Sequence, residues 1–441
     1  MKYESPHEAK LSTGRLYASA RAMAFGTFLE WFDFTIYGLA SALVFNVLFF
    51  PDSQPGVGLI LSFATFAVGF LARPVGAIIL GRMGDRIGRQ RILVFTIVLM
   101  GASTALIGVL PDAGTIGIFA PALLVLLRIL QGFGAGAEQA GAALIMSEMA
   151  PPKRRGFFAA LPFTGSQLGI VAASGVFALV ALLPSEAILA WGWRIPFVAS
   201  VGVVVVGFIL RRRLPETPAF VQASSEGKLS KSPLIDVLKG GKLALLRGIA
   251  LKIGENGTSY LYFTFAVGYL AALGESKLVS TIGILLAAAF GIFTVVIAGA
   301  LSDRFGRRPI YIAGAIFQIL FAAPAFMLLS SGNTILIWIS LIVAIAVGVN
   351  LMFGAQGAFL AELFPTRYRY TGVGTSREIG AVLSGGFAPL IASVLLYVTG
   401  TAWWPVAVYV GLLACVSLLG AIFSPETAGR DLNVEEPRNA H

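Results

Sequence analysis

The hydrophobic positions of the chain fall into long, nearly uninterrupted runs that short polar segments separate. A helix that crosses a bilayer needs about 20 mostly apolar residues. Twelve runs meet this requirement, with limits near 22–47, 57–81, 92–110, 117–149, 157–183, 191–210, 248–273, 278–301, 309–329, 334–363, 372–398 and 403–424. The pattern therefore predicts an all-α membrane protein with twelve transmembrane helices.

The composition narrows the possible functions. Of 441 residues, 57% are hydrophobic and 12% are charged, whereas an average soluble domain carries about 25% charged residues. The single cysteine, Cys415, lies inside an apolar run, and the two histidines, His7 and His441, lie in the terminal tails. We therefore expect that the protein is not a soluble enzyme, has no metal site built on cysteine or histidine, and binds no cofactor. Any proton transfer would have to use carboxylates, arginines, lysines or tyrosines.

The basic residues indicate the orientation of the helices. Both tails, the loops after runs 2, 4, 8 and 10, and the middle loop 211–247 carry most of the 32 Lys and Arg residues, whereas the alternate loops carry only Lys277. Lys and Arg mark cytoplasmic loops. We therefore expect a multi-pass protein of the cell membrane with both termini in the cytoplasm. Because the charges are dispersed over short loops without interleaved aromatic residues, the net charge of +10 does not indicate nucleic-acid binding.

Three pairs of segments recur in the same order along the chain. Residues 81–89 resemble 299–307, residues 148–156 resemble 362–372, and Pro-Glu-Thr at 215–217 recurs at 425–427. The repetition predicts two halves of six helices each, in the same orientation. The expected units are an N-terminal tail 1–21, a first bundle 22–210, a linker 211–247, a second bundle 248–424 and a C-terminal tail 425–441.

The repeated segment Gly81-Arg-Met-Gly-Asp85-Arg86-Ile-Gly88-Arg89 resembles the signature of the major facilitator superfamily of transporters. Other motifs resemble its metabolite–proton symporter branch, which includes shikimate, α-ketoglutarate, citrate and proline/betaine carriers. These motifs span 26–38, 73–76, 128–138, 191–197 and 361–372. The resemblance implies two six-helix bundles around a central cavity, with alternating access. It also implies proton symport of a small organic acid or zwitterion.

Asp33 and Arg128 are the predicted proton-coupling pair. Glu30, Asp33 and Tyr37 share one helical stripe, and Asp33 lies about 18 Å along the helix from Arg21 at 1.5 Å per residue. Arg128 is expected at a similar depth, and in proton-coupled sugar porters of the superfamily an acid on helix 1 and an arginine on helix 4 couple to protons. Burial favours a neutral carboxyl group, whereas a nearby arginine favours the carboxylate. A proton on Asp33 would therefore release Arg128 toward a substrate; the alternative is a permanent structural ion pair.

Further candidates line the predicted cavity. Glu30 is a second proton-coupling candidate or a partner of Arg73, and Glu138 is another, with a helix-end ion pair as its alternative. Arg73 and Arg128 are the expected substrate-side cations, because a guanidinium suits a carboxylate bidentately. The other substrate-binding candidates are Tyr37, Gln131, Glu255, Asn256, Tyr262, Asn350, Gln356 and Arg377. Tyr262 has packing as its alternative, and Arg194 is expected to reach the lipid headgroups.

A cytoplasmic gate is implied by the same resemblance. Asp303 is expected to face the start of helix 5 near Gly156, and Asp85 the start of helix 11 near Gly372, since carboxylates are favoured at helix N-termini. The other gate candidates form two groups: Arg86, Arg89 and Arg155 with Glu148, and Arg304, Arg307 and Arg369 with Glu362.

Several alternatives remain open at this level. An exporter driven by proton antiport is the alternative within the superfamily, although the glycine-proline pattern of such antiporters is missing from 163–169. A membrane sensor or a passive channel is the alternative from another class. We expect a small-molecule substrate, with a carboxylate favoured over a zwitterion, the proton as coupling ion, and a monomer in the lipid bilayer.

Overall fold

The computed structural model describes residues 13–87, 89–136, 141–212, 233–430 and 432. Apolar runs bounded by loops form twelve principal helices. They are α1 (Thr13–Leu48), α2 (Pro55–Ile87), α3 (Arg89–Gly108), α4 (Phe119–Ala135 and Ala142–Met149), α5 (Arg155–Val180), α6 (Arg194–Arg212), α7 (Lys242–Tyr260, Leu261–Phe265 and Ala266–Ala272), α8 (Lys277–Phe305), α9 (Arg307–Leu329), α10 (Thr334–Leu363), α11 (Arg369–Ala381, Val382–Gly386 and Phe387–Val398) and α12 (Trp404–Ile422). Within these ranges there is no β-strand.

The helices confirm the predicted all-α membrane fold. Eight are long and apolar enough to cross a bilayer, and α6 adds a ninth with the short helix before it, from which it is bent by 42°. Shorter apolar helices account for α3 and α4, and α7 carries the charged residues Lys252 and Glu255. The helix of α1 begins at Thr13, earlier than the predicted limit, because helical hydrogen bonding continues through polar residues outside the apolar run.

Glycines bring the helices close together at two crossings. A Cβ atom on Gly132 of α4 would collide with the carbonyl oxygen of Gly69 on α2. A Cβ atom on Gly299 of α8 would lie 2.6 Å from the carbonyl oxygen of Gly156 on α5. Small residues permit such backbone contact between membrane helices. The second crossing joins the first six helices to the last six.

The two sets of six helices touch at three levels. The tail end is the end where α1 begins and α12 ends, and the distal end is opposite. Arg155 and Glu362 meet at the tail end at 2.9 Å, Arg73 and Glu378 meet at the centre at 3.0 Å, and Gln54 accepts a 2.9 Å hydrogen bond from Tyr397 at the distal end. In this conformation the halves close over the centre of the molecule.

Candidate functional site

Asp33 lies at the centre of a buried hydrogen-bond network between α1, α3 and α4. Its side chain is 6% exposed and accepts hydrogen bonds from the Thr104 hydroxyl and from the Gln131 amide. The carbonyl oxygen of Gln131 in turn accepts from Arg128 Nη1. We call Asp33, Thr104, Gln131 and Arg128 the central network. The expected meeting of Asp33 and Arg128 is thus indirect, because Gln131, one turn after Arg128, stands between them.

The Arg128 guanidinium is fully buried among aromatic rings. Its Cζ atom lies 4.1 Å from the ring centroid of Tyr37, 4.5 Å from that of Phe34 and 4.9 Å from that of Phe66. The Tyr37 hydroxyl donates to Thr65 at 2.7 Å, which holds the ring against the guanidinium. Among the described residues, Nε and Nη2 of Arg128 have no hydrogen-bond partner. Aromatic faces attract a cation but leave its donors available to an anion.

A second charged group connects the halves beside this network. Arg73 donates to Glu378 through Nε at 3.0 Å and Nη2 at 3.2 Å, and Nη2 also lies 3.2 Å from Glu30 Oε1. Arg377, the residue before Glu378 on α11, is buried with its Cζ atom 5.9 Å from the ring centroid of Phe163, and its Nε has no hydrogen-bond partner within the described ranges. We call Glu30, Arg73, Arg377 and Glu378 the four-charge cluster. The sequence analysis missed Glu378, although the cluster includes the predicted pairing of Glu30 with Arg73.

Some polar residues of α7 pair with each other within that helix. Glu255 forms a buried ion pair with Lys252 at 2.6 Å, and Lys252 was not among the predicted site residues. Asn256 is buried, and its Nδ2 lacks a hydrogen-bond partner in the described part of the chain. Tyr262 stacks on Phe326 with ring centroids 6.0 Å apart, as its packing alternative predicted.

The two amide candidates of α10 contact neighbouring helices. Asn350 donates to Thr294 on α8 at 2.9 Å and accepts from Gln167 on α5 at 3.2 Å, which joins the halves. Gln356 donates to the Tyr311 hydroxyl at 3.3 Å. Gln167 carried no signal in the sequence beyond its place within an apolar run.

Aromatic rings from both halves close the centre. Trp31 of α1 stacks on Tyr260 of α7 with centroids 5.7 Å apart and ring planes 8° apart. Phe163 of α5 stacks on Phe353 of α10 at 4.1 Å. Each stack pairs one ring from each half, so the two halves contact each other through aromatic faces as well as through charges.

Asp303 holds the halves together at the tail end. Its carboxylate accepts from the backbone N–H of Gly156 at 2.7 Å and of Phe157 at 2.8 Å, at the N-terminus of α5. The macrodipole of that helix favours a negative charge there. Arg307 pairs with the same carboxylate at 2.7 Å. The placement near Gly156 is the one expected from the sequence.

Two of the remaining tail-end ion pairs, Arg155–Glu362 and Glu148–Arg369, join the halves. Glu362 accepts from Arg307 at 3.1 Å, from Arg155 at 2.9 Å and from Thr427 at 2.8 Å, while Glu148 pairs with Arg369 at 3.0 Å. The predicted grouping of Arg307 with Glu362 is found, whereas the grouping of Glu148 with Arg155 and of Glu362 with Arg369 is wrong. Each of these two acids instead pairs with the arginine of the other copy of the repeat. We call this set the tail-end network: Glu148, Arg155, Asp303, Arg307, Glu362 and Arg369.

Other candidates lie elsewhere. Arg304 is exposed, with its guanidinium over the Phe305 ring at 5.1 Å, so in the described structure it does not join the tail-end network. Arg194 donates to the carbonyls of Gly108 and Leu110 at 3.1 and 2.6 Å; it caps the end of α3 and does not reach for headgroups as expected. The side chains of Asp85, Arg86 and Arg89, and the whole of Glu138, lie outside the described part of the structure.

The segment after α12 takes part in the tail-end contacts. Glu426 accepts from the N–H groups of Arg307 and Arg308 at 2.9 and 3.1 Å, which caps α9. The carbonyl of Arg430 accepts from Arg155, and that of Leu432 accepts from Arg369. The predicted C-terminal tail 425–441 therefore begins within the tail-end contacts.

Comparisons with known proteins identify a family and several relatives that the chain resembles. Residues 23–376 and 256–439 match the model of the Major Facilitator Superfamily. The shikimate transporter of Escherichia coli (strain K12) is 37% identical over 428 residues, which cover 96% of this chain and 96% of that protein. The glycine betaine/proline/ectoine/pipecolic acid transporter OusA of Dickeya dadantii (strain 3937) is 37% identical over 441 residues, which cover 97% of this chain and 87% of that protein.

A solved structure shares the fold. The proton:xylose symporter XylE bound to 6-bromo-6-deoxy-D-glucose gives a TM-score of 0.74 and covers 96% of this chain and 98% of its own. The two sequences are 19% identical, so this likeness concerns the arrangement of the helices alone.

Proposed function

This chain belongs to the major facilitator superfamily and is a membrane transporter, and we propose that it imports a small organic acid or zwitterionic metabolite by proton symport. The first bundle 22–210 and the second bundle 248–424 would rock about a central site. The proton is the coupling ion, and no bound cofactor takes part. We also propose that the protein is a monomer with both termini in the cytoplasm, which makes the tail end the cytoplasmic gate.

The central network is the observation that carries the proposal. Ionised Asp33 accepts hydrogen bonds from Thr104 and Gln131. A proton on Asp33 Oδ2, the oxygen that faces Gln131, makes that oxygen a donor, so the Gln131 amide keeps only Thr104 as an acceptor, at 2.8 Å, and turns toward it. Its carbonyl oxygen then leaves Arg128 Nη1, and the guanidinium gains a donor for a substrate carboxylate. A proton on Asp33 thereby prepares Arg128 for its cargo.

The substrate class follows from the cations and from the relatives. Arg128 and Arg377 have donors without partners among the described residues, and guanidinium groups favour carboxylates. Shikimate, proline and glycine betaine, which appear in the names of the related transporters, each carry a carboxylate. The buried acids Glu30 and Glu255 leave room for a positive group on the same substrate.

Uptake into liposomes tests this proposal. The full chain is reconstituted with a pH dye inside, and labelled shikimate, proline and glycine betaine are offered with an acidic exterior. We expect one of these probes to accumulate above equilibrium while the interior acidifies. Asp33→Asn should abolish accumulation but retain counterflow exchange, because the neutral amide mimics the protonated state.

A matched substitution controls for general damage. Asp112→Asn changes the acid that caps a short helix at the distal end and should leave accumulation unchanged. Accumulation by Asp33→Asn at the wild-type level would show that Asp33 is not the coupling group.

A further inference from the structure

One buried contact joins the two halves through full charges at the centre of the molecule. Arg73 of α2 offers Nε and Nη2 to the two carboxylate oxygens of Glu378 on α11, at 3.0 and 3.2 Å. The side chains are 1% and 8% exposed. Two parallel hydrogen bonds of this kind are the geometry in which a guanidinium binds a free carboxylate. Glu378 thus occupies the edge of Arg73 that a substrate carboxylate would use.

The charges around this contact balance only while Glu378 is ionised. The four-charge cluster holds two guanidiniums, Arg73 and Arg377, and two carboxylates, Glu30 and Glu378. The neighbouring Lys252 and Glu255 neutralise each other at 2.6 Å. Without the Glu378 carboxylate, the cluster carries one positive charge in excess in a closed, buried site. Removal of one partner from a buried ion pair is strongly destabilising.

We propose that Glu378 takes the place of the substrate carboxylate on Arg73 when the site is empty. It neutralises the cluster so that the unloaded transporter closes, and an incoming carboxylate displaces it. The unloaded protein can then return to collect another substrate, so that net uptake does not require exchange. This inference rests on the proposed function in one respect, namely that the cargo carries a carboxylate, and it takes Arg73 as one of the substrate-side cations expected from the sequence.

Distances between the ends of the helices test the inference without any substrate. The full chain carrying Cys415→Ser is spin-labelled at the distal end on Leu182 and Ser331, or at the tail end on Arg91 and Phe423, all of which are exposed. We expect both ends to be closed in the wild-type protein.

Three variants separate charge from packing. Glu378→Ala should lower the population closed at both ends at least about tenfold, because Arg73 keeps only Glu30, at 3.2 Å, and the buried cluster then carries one positive charge in excess. The double variant Arg73→Gln with Glu378→Ala should restore closing, since no charge is then in excess. Asn350→Ala removes a neutral contact between the halves, the 3.2 Å hydrogen bond with Gln167, and should change the population less than about twofold, as a neutral hydrogen bond contributes little net stability.

Acetate supplies the missing carboxylate directly. Sodium acetate added to Glu378→Ala should restore the population closed at both ends, whereas sodium chloride at equal concentration should not. Closing of Glu378→Ala without acetate, or no response to acetate, would overturn the inference. Because these measurements use neither a proton gradient nor a transported substrate, a failure here is distinct from a failure of symport, which only the uptake assay reports.

Discussion

The tail-end network, which is largely buried except at Glu148, and the central network, which is buried throughout, are both charged, but they differ in how completely their polar atoms are paired. At the tail end, Glu362 accepts from two arginines and a threonine, and Asp303 accepts from two backbone N–H groups. At the centre, Arg128 has two nitrogens without a partner among the described residues.

The difference separates two kinds of task. A fully paired polar network favours one geometry of the groups around it, which suits contacts that hold a gate closed. Buried donors without partners are costly, so they persist where another molecule is to supply the acceptor. Under the proposed function, the tail-end network would serve conformational control, and the central network would serve binding and coupling.

Glu362→Gln tests the tail-end network, and it is the variant for which we expect the largest effect. The Glu362 side chain is fully buried, and its loss as an anion leaves Arg155 without its carboxylate partner. We expect the closed tail end to lose about 3–5 kcal/mol. The midpoint of thermal unfolding should fall, and spin labels on Arg91 and Phe423 should move apart.

Glu148→Gln is the matched control at the same end of the molecule. Glu148 also pairs with an arginine of the other half, Arg369, but its side chain is 37% exposed. Exposed ion pairs contribute about 0–1 kcal/mol, so the unfolding midpoint should barely change. Equal effects of the two variants would show that burial does not govern the tail-end network.

Arg128→Lys tests the other side of the comparison, the central network. The ammonium keeps the charge but loses the planar fork and the flat face that contacts Tyr37 and Phe34. We expect net uptake to fall at least about tenfold, equivalent to about 1.4 kcal/mol, with little change in thermal stability. Tyr37→Phe retains the ring and should transport within about twofold of wild type, since a neutral hydrogen bond contributes about 1 kcal/mol or less. Full activity of Arg128→Lys would mean that charge alone suffices at the centre.

The sequence predicted the helices that carry both networks better than it predicted which side chains pair with each other. Twelve apolar runs and two copies of one motif were enough to predict the helices, and the position of Asp303 near Gly156 followed from the motif. Internal repetition identifies equivalent residues, but it does not reveal which half each side chain faces. For that reason the crossed pairs Glu148–Arg369 and Arg155–Glu362 were assigned wrongly.

At the centre, the missing information was contact between distant helices. The adjacent residues Arg377 and Glu378 point in different directions on α11, which the sequence indicates, but only the fold brings Arg73 of α2 to Glu378. The position of Gln131 between Asp33 and Arg128 likewise depends on side-chain orientation. The pairing of Lys252 with Glu255 one turn later was not predicted, although residues three apart on a helix are neighbours.

Tyr262→Phe carries the smallest expected effect and sharpens the comparison from the opposite side. The Tyr262 ring is fully buried and stacks on Phe326, and within the described structure its hydroxyl has no hydrogen-bond partner. If the hydroxyl is a substrate contact, its removal should raise the KM of uptake several-fold and leave thermal stability unchanged. Because the ring packs as a phenylalanine would, we expect the free energy of unfolding to change by no more than about 0.5 kcal/mol. The KM of uptake should stay within about twofold of wild type, which corresponds to a similar free energy. A raised KM would instead show that α7 contributes to substrate binding together with Arg128. It would also show that a buried donor without a partner marks a ligand contact outside the central network.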